Sequence, residues 1–329
     1  MGDADVLVLS DAHIRAVLSA ADVVDSQEHA FLLATADGLV RSAHTHYDTF
    51  APDAIAFVHS AVADGETGVV FKSGTQHPRN GARGLPAVHA TVTVHDPDSG
   101  RTTAVLNGTT ITTLRTAGGL AAAARALSPA RPHTVGVLGA GAQATEFVCL
   151  LSDVMPVERF LMWSPGLQAR GRERLDERLA GLPVEIAASP RDLCERSRTI
   201  ATCTLSRVPV VEGAWLGGGT TVLTMGSYAP DRRELDLGCT RRAALVVADL
   251  PGQALRSNGP VLEAVEAEVI DADAVLPISR VLRGEHPGRA AEQDIVVFHS
   301  NGLGIQDAVL AWRACTRARA SGTGVLVAL

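Results

Sequence analysis

Val135-Gly136-Val137-Leu138-Gly139-Ala140-Gly141-Ala142-Gln143-Ala144 is the stretch on which the reading of this chain turns. A β-favouring apolar run ends at Gly139, and Gly141 and Ala144 complete the G-x-G-x-x-A spacing that opens a helix in dinucleotide-binding folds. Each small residue answers a steric demand. Gly139 permits the tight turn from strand to helix, Gly141 lets the backbone approach a pyrophosphate, and Ala144 lets the helix pack on the strand. The free N–H groups of the first helical turn attract the anion. The same spacing occurs in ordinary glycine-rich turns, so context has to decide. Phe147, Val148, Leu150 and Leu151 follow at helical spacing, as a βαβ unit requires.

Downstream of this motif, apolar and helical segments alternate. Residues 160–163, 184–187, 199–203, 221–225, 245–248 and 295–298 join 135–138 as strand candidates, a rhythm that predicts a doubly wound parallel sheet. Upstream the pattern is different. Residues 6–9 read as a strand, Ser10 as the N-cap of a helix through Leu18, and residues 22–37 as a second helix ended by Gly38. Residues 44–53 read as a polar stretch and 54–58 as a short apolar run. Residues 69–72 form an apolar strand ending in Lys72. Val88, Ala90, Val92 and Val94 then alternate with His89, Thr91, Thr93 and His95, and Pro97-Asp98-Ser99-Gly100 turns the chain into a second strand ending at Leu106. Such an antiparallel unit has one covered face, which another subunit can supply. From Ile111 to Leu127 the period becomes helical, with Arg115 and Thr116 in the first turns; the last helix runs from Ile305 to about Ala320.

With 329 residues, 46% hydrophobic and only 4% aromatic, the chain suits about two domains with Ala/Val/Leu cores. A net charge of −7, a pI near 5.9 and no Lys/Arg block argue against a nucleic-acid or anionic-membrane partner and for small metabolites. The first residues are acidic, with no secretory pattern, and no run reaches the roughly 18 apolar residues of a membrane span, so a cytoplasmic address is the expectation. Cys149, Cys194, Cys203, Cys239 and Cys315 are odd in number and widely spaced, unlike a disulfide framework or a zinc site. His44, His46 and His59 lack the H-x-x-x-H and H-E-x-x-H spacings, and no metal is expected.

Arg41, Lys72 and Arg115 stand out among the cations. Most Lys and Arg side chains are solvated surface charges. Lys72, however, ends an apolar strand, and Arg115 lies in Thr112-Thr113-Leu114-Arg115-Thr116-Ala117 near a helix N-terminus. Converging, the three would clamp a carboxylate.

At these residues the sequence resembles the ornithine cyclodeaminase and mu-crystallin family over nearly the whole chain. The blocks that carry the resemblance are Lys72 with His77-Pro78-Arg79-Asn80 and Gly84-Leu85-Pro86, Ser99-Gly100 before Ala104, Ile111-Thr112 with Arg115-Thr116-Ala117, and Gly139-Ala140-Gly141-Ala142-Gln143. Gly226, Pro230, Glu234-Leu235, Phe298-His299-Ser300, Gly302 and Asp307 complete them. The resemblance implies an α/β protein with a doubly wound Rossmann domain over 115–304. It implies also a discontinuous α+β substrate-binding and dimerisation domain made of 1–114 and the C-terminal helical segment 305–329, and hence a homodimer. Lys72, Arg115 and Arg41 would face the substrate, with Arg115 and Arg41 on its carboxylate. Thr116, Gly139, Ala140, Gly141, Ala142, Gln143, Thr204 and Ser300 would hold the dinucleotide.

Departures from the family pattern narrow the reaction. Cyclodeaminases carry a glutamate just before a Met-Pro pair, where this chain has Ala56-Phe57-Val58-His59-Ser60-Ala61. They also carry an aspartate at the position of Tyr228 in Met225-Gly226-Ser227-Tyr228-Ala229-Pro230. The expectation is therefore an NAD(P)-dependent oxidoreductase acting on a C–N bond of an amino or imino acid, with Lys72 as a charge-stabilising or acid/base group and His59 or Tyr228 as proton donor. Two alternatives stand beside it: an ornithine- or lysine-type cyclodeaminase that recycles its NAD internally, and a dinucleotide-regulated binding protein.

The choice of dinucleotide rests on the second strand of the Rossmann unit. NAD-specific sites place an acid at its end to bind the ribose hydroxyls. Here Phe160-Leu161-Met162-Trp163 runs into Ser164-Pro165-Gly166. Ser164 can donate to a 2′-phosphate, and Arg170 and Arg172 are close in sequence, so NADP(H) is expected to be modestly preferred with NAD(H) usable.

Overall fold

The computed structural model describes residues 5–49, 51, 53–171, 175 and 177–328. The chain forms two compact units, one from Met1–Arg115 with Leu303–Leu329 and the other from Thr116–Gly302.

The first unit opens with β1 (Asp5–Leu9) and the helices α1 (Asp11–Val17) and α2 (Ala20–Ala34). Ser10 and Ser19 start the two helices by accepting from the N–H groups of His13 at 3.3 Å and Asp22 at 3.1 Å. An antiparallel run follows: β2 (Val40–Asp48), β3 (Ile55–Ala63), β4 (Val69–Gln76), β5 (Val88–His95) and β6 (Thr102–Asn107). Helix α3 (Gly108–Leu127) begins three residues before the expected Ile111, because the Asn107 carboxamide accepts from the Thr110 N–H at 3.0 Å and caps the first turn.

The expected polar stretch at 44–53 is, through Asp48, the strand β2. Its residues are exposed at nearly every position, which hides the strand from any hydrophobic pattern. The register with β3 is nonetheless continuous from Val40↔Ala63 to Asp48↔Ile55. In an antiparallel pair, opposed residues share a face and successive ones alternate. His44↔His59, His59↔Lys72, Lys72↔Val92 and Val92↔Leu106 therefore form one transverse row on one face. That face is the covered one: Phe57, Ala61, Val70, Val92, Val94 and Leu106 are buried on it. The opposite face carries Tyr47, Phe71, Thr91 and Thr93, with Tyr47 54% and Phe71 40% exposed.

The second unit alternates strand and helix. It runs through β7 (His133–Leu138), α4 (Ala142–Val154), β8 (Val157–Trp163), α5 (Pro165–Arg170), β9 (Val184–Ile186), α6 (Pro190–Arg196), β10 (Thr199–Thr202) and β11 (Thr221–Thr224). Next come α7 (Leu237–Arg242), β12 (Leu245–Ala248), α8 (Pro251–Ser257), α9 (Gly259–Glu266), β13 (Val275–Pro277), α10 (Ile278–Leu282) and β14 (Val296–His299). The eight strands order as β13-β12-β14-β11-β10-β7-β8-β9. Every pairing is parallel. The strands are buried on both faces and do not alternate, as β10 and β11 show with all four residues of each buried, the threonines at their ends included. This is the doubly wound α/β sheet expected from the sequence. Strand β13, three residues long, was too short to announce itself.

The chain then re-enters the first unit as α11 (Gly304–Ser321), which packs against α2, β3 and β4. Gly322 stops the helix at φ 67, and the tail becomes β15 (Val325–Ala328), a strand not expected from the sequence, pairing antiparallel with β1. The seven strands of this sheet order as β15-β1-β6-β5-β4-β3-β2. No helix among the described residues is long and apolar enough to cross a membrane.

Candidate functional site

In the first unit, strand β4 and helices α3 and α11 bring Lys72, Arg115 and Asp307 together. Lys72 is 2% exposed on the covered face, and its Nζ donates to Asp307 Oδ2 at 2.7 Å. Arg115, two turns into α3, donates its Nε–H to Asp307 Oδ1 at 3.1 Å. Asp307 sits in the first turn of α11, where the helix dipole also favours its negative charge. Burial pushes the Asp307 carboxyl up, but Arg115 and Lys72 outweigh it and hold it below the ordinary value. Burial brings the Lys72 ammonium down to about 8, with Arg115 pushing the same way and Asp307 pulling back. At neutral pH the trio thus carries two positive charges and one negative, a net charge of +1 in a site nearly closed to water.

Histidines line the same face. His44 and His59 stack with ring centroids 4.2 Å apart, and His46 Nε2 lies 2.8 Å from His59 Nε2. Burial and the Lys72 charge bring His59 down to about 2, and burial lowers His44 and His46 as well. In each ring the shift favours the neutral form. Burial and the neighbouring Lys72 thus favour the neutral ring of His59, which leaves Lys72 as the charged candidate for proton donation on this face. Among the described residues no group of three His, Cys, Asp or Glu side chains is placed to hold a metal.

The expected convergence of Arg41 with Lys72 and Arg115 does not occur. Arg41 opposes Val62, so it projects from the other face of the sheet, while His44, three residues on, enters the Lys72 row. His44 Nε2 also reaches the start of α11: a Cβ on Gly304 would lie 3.1 Å from it. Asp307, the carboxylate on which the trio turns, was legible only as part of a family block.

In the second unit the nucleotide motif lies where the sheet changes direction. From β7 the chain winds outward through β8 and β9, then returns to β10 on the other side, and the crevice at such a reversal is the usual ligand site of open α/β sheets. Gly139 adopts φ +122, and a Cβ there would lie 2.5 Å from the Cys203 carbonyl oxygen. Gly141 is the N-cap of α4, without a side-chain cap, and the space a Cβ would fill there is open. Ala142 and Gln143 begin that helix, so its first N–H groups are free to receive an anion. The Oε1 of Gln143 and the Oγ1 of Thr116 are buried without a hydrogen-bond partner among the described residues. Open backbone donors, a glycine cradle and orphaned polar atoms suit a dinucleotide.

Thr204 and Ser300 do not point free into this shelf. Thr204 donates both its N–H and its hydroxyl to Glu234 Oε1 at 2.8 Å each, and Ser300 donates its hydroxyl to Asp249 Oδ2 at 3.3 Å. Glu234 also accepts from the Gly226 N–H at 2.7 Å, so it ties the loop after β10 to the loop after β11. Asp249 accepts from the N–H groups of Asn301 at 2.7 Å and Gly302 at 2.8 Å, tying β12 to the loop after β14. Both acids are buried and are pushed up by that burial, Glu234 to about 7, against the donors that surround them. They fix the backbone at the C-terminal ends of four strands, a role invisible in sequence because their partners are distant loops. Tyr228, half-buried, also belongs to this unit. Ser164 is the N-cap of α5, accepting from the Leu167 N–H at 3.1 Å; Arg172 and the side chain of Arg170 lie outside the described residues.

One prediction follows from Glu234. An amide at this position can accept at only one end, so Glu234→Gln leaves either the Thr204 or the Gly226 N–H facing an NH2 group. The expected cost is about 1–3 kcal/mol of stability in urea denaturation; an unchanged midpoint would show that these N–H groups find other partners.

The model of the Ornithine cyclodeaminase/mu-crystallin family matches residues 6–322. An alanine dehydrogenase of Archaeoglobus fulgidus is 27% identical over 308 residues, 93% of this chain and 93% of that protein. An iminosuccinate reductase of Paracoccus denitrificans is 29% identical over 284 residues, 86% of each chain. Its crystal structure in complex with NAD+ is similar with a TM-score of 0.88 at 25% identity, covering 99% of this chain and 100% of the other. The structure of Δ1-pyrroline-2-carboxylate reductase of Thermococcus litoralis in complex with NADH and L-proline is similar with a TM-score of 0.89 at 27% identity, covering 98% and 100%.

Proposed function

This chain belongs to the ornithine cyclodeaminase/mu-crystallin family, and from that premise we propose that it is an NAD(P)-dependent oxidoreductase acting on the C–N bond of an amino or imino acid. It reduces an imine of a 2-oxo acid or oxidises an amino acid to its imine. The observation that carries the reading is the buried trio of Lys72, Arg115 and Asp307 with its surplus positive charge, the sign that a substrate carboxylate requires. Alanine, iminosuccinate and pyrroline-2-carboxylate, named in the relatives, all bear a carboxylate on the carbon that carries nitrogen.

Arg115 keeps its terminal guanidinium nitrogens for that carboxylate while Asp307 fixes the fork through Nε. Lys72 is an ammonium below about pH 8, close enough to neutrality to donate a proton at the substrate nitrogen or to stabilise charge there. In the second unit the first turn of α4, Gly139, Gly141, Gln143 and Thr116 would hold the dinucleotide, and Glu234 and Asp249 keep the neighbouring loops in place. When bound, the dinucleotide supplies or accepts the hydride at its nicotinamide ring. Tyr228 stays a candidate proton donor. A homodimer through the exposed face that carries Tyr47 and Phe71, and a cytoplasmic location, complete the proposal.

The test is a screen of the purified protein with NADH and NADPH against pairs of 2-oxo acids and amines, with ornithine and lysine in parallel. Net oxidation of the cofactor with an imine pair supports the proposal. Ammonia release from ornithine or lysine without net change in nicotinamide absorbance would make the protein a cyclodeaminase instead. Cofactor-dependent ligand binding without turnover would make it a binding protein.

The cofactor preference has its own prediction. The Ser164 hydroxyl accepts from Leu167 and keeps its hydrogen to donate, and no acid stands at this strand end. NADP(H) is modestly preferred on this reading. Ser164→Asp should weaken NADPH by about tenfold or more through repulsion of the 2′-phosphate, in fluorescence titrations. Wild-type protein binding NADH about tenfold tighter than NADPH would refute the preference.

A further inference from the structure

At the edge of the parallel sheet where its strands begin, opposite the nucleotide shelf, lies a cavity of about 220 Å³ lined by Arg131, Arg198, Arg289 and Glu292 with Pro129 and Gly219. Arg131 precedes β7, Arg198 precedes β10 and Arg289 lies in the segment before β14, so three chain segments deliver one guanidinium each. Three cations in so small a space repel one another. Burial and Arg198 push the Arg289 guanidinium down against the pull of Asp294. The adjacent His133 is held down too, first by burial and then by the charges of Arg131, Arg198 and Arg289, against its bond to the Arg131 carbonyl.

Carboxylates answer little of this charge. Arg131 pairs with Glu292 at 2.6 Å, both side chains being well exposed, so that contact is weak and easily exchanged. Arg198 donates to the Gly218 carbonyl, and Arg289 donates to the Asp294 carbonyl and to Thr221 Oγ1 at 2.7 Å. Neither has a carboxylate within salt-bridge reach among the described residues. The Nε–H of Arg289 is buried with no hydrogen-bond partner among them. A buried, charged donor left unmet is costly in a native structure and marks a place where an acceptor belongs.

We propose that this cavity is a second ligand site, separate from the nucleotide shelf, that takes a multivalent oxyanion: inorganic phosphate or the phosphoryl group of a metabolite. Planar forks from three directions suit tetrahedral oxygens, which accept several charge-assisted hydrogen bonds at once. Arg198 and Arg131 can turn toward such a ligand, because their present partners are a carbonyl and an exposed acid. Arg289 is held in place by Thr221 and the Asp294 carbonyl, and it presents the fixed charge.

The experiment is isothermal titration calorimetry of the full chain with inorganic phosphate at constant ionic strength. Arg198→Ala and Arg131→Ala are expected to bind at least about tenfold more weakly, the loss of one charge-assisted hydrogen bond. Gly141→Glu, which puts a carboxylate at the start of α4 and so closes the other place where an anion could bind, is expected to keep the part of the phosphate binding that Arg198→Ala weakens. Arg198→Lys keeps the charge without the fork and should fall between wild type and alanine. Displacement of phosphate by an equal or lower concentration of glycerol phosphate assigns the site to phosphate esters; no displacement by glycerol phosphate assigns it to the free ion. Absence of saturable binding, binding untouched by Arg198→Ala, binding abolished by Gly141→Glu, or equal displacement by acetate overturns the proposal.

Discussion

Asp307→Ala is expected to cost about 3–5 kcal/mol of folding stability at neutral pH, the usual penalty for stripping one partner from a buried ion pair. Lys72 and Arg115 would be left facing each other, with Lys72 at 2% exposure unable to find water. The loss has a pH signature. In the wild type the Lys72 pKa is about 8 when folded and 10.5 in the free side chain, so the unfolded chain binds the extra proton between these values and stability rises with pH across that window. Removing the Asp307 carboxylate removes the pull that keeps the folded value up. The window in Asp307→Ala then opens further toward acid, and raising the pH from neutrality toward 10 restores part of the lost stability. Urea denaturation at several pH values checks this, and Lys72→Met on top of Asp307→Ala should flatten the recovery. If Asp307→Ala shows neither the loss nor the steeper pH dependence, the pair is not the buried electrostatic unit described here.

Lys72→Met should lower kcat/KM by about 10²–10⁴, the contribution of a positioned acid/base group. Methionine fills a similar volume, so the fold should persist while the proton donor is lost. In the direction of imine reduction the wild-type kcat/KM should fall as the pH rises through about 8, where Lys72 gives up its proton. The substituted enzyme should lack that limb. A Lys72→Met protein that keeps near-wild-type kcat/KM on its best imine substrate, or keeps the same alkaline limb, removes Lys72 from the chemistry.

The parallel sheet and its nucleotide loop were legible because a glycine spacing and a run of two-sided apolar strands are local signals. Lys72 and Arg115 were legible for a related reason, each being a charge set in an apolar or small-residue context. Arg41 failed because its strand was not recognised. With β2 exposed on nearly every residue there was no alternation to count, and without the count nothing showed that positions 41 and 44 fall on opposite faces. Asp307, Glu234 and Asp249 act on residues far away in sequence, and a carboxylate's partners cannot be read from its neighbours. The strand β15 was missed because it follows a helix of 18 residues and is four residues long.

The discontinuity of the first unit has a consequence for biosynthesis. Lys72 and Asp307 are 235 positions apart, and β1 takes its outer neighbour from β15. During translation the whole of 116–302 emerges after Lys72 and β1 but before Asp307 and β15, so the parallel sheet can close while the N-terminal sheet still lacks α11 and its carboxylate. Contacts of such separation form late and slowly. A nascent chain stalled before residue 303 would hold an incompletely covered sheet with an unneutralised lysine in its interior. It would be a substrate for chaperones and proteases, and emergence of the segment that carries α11 and β15 would be the event that completes the first unit.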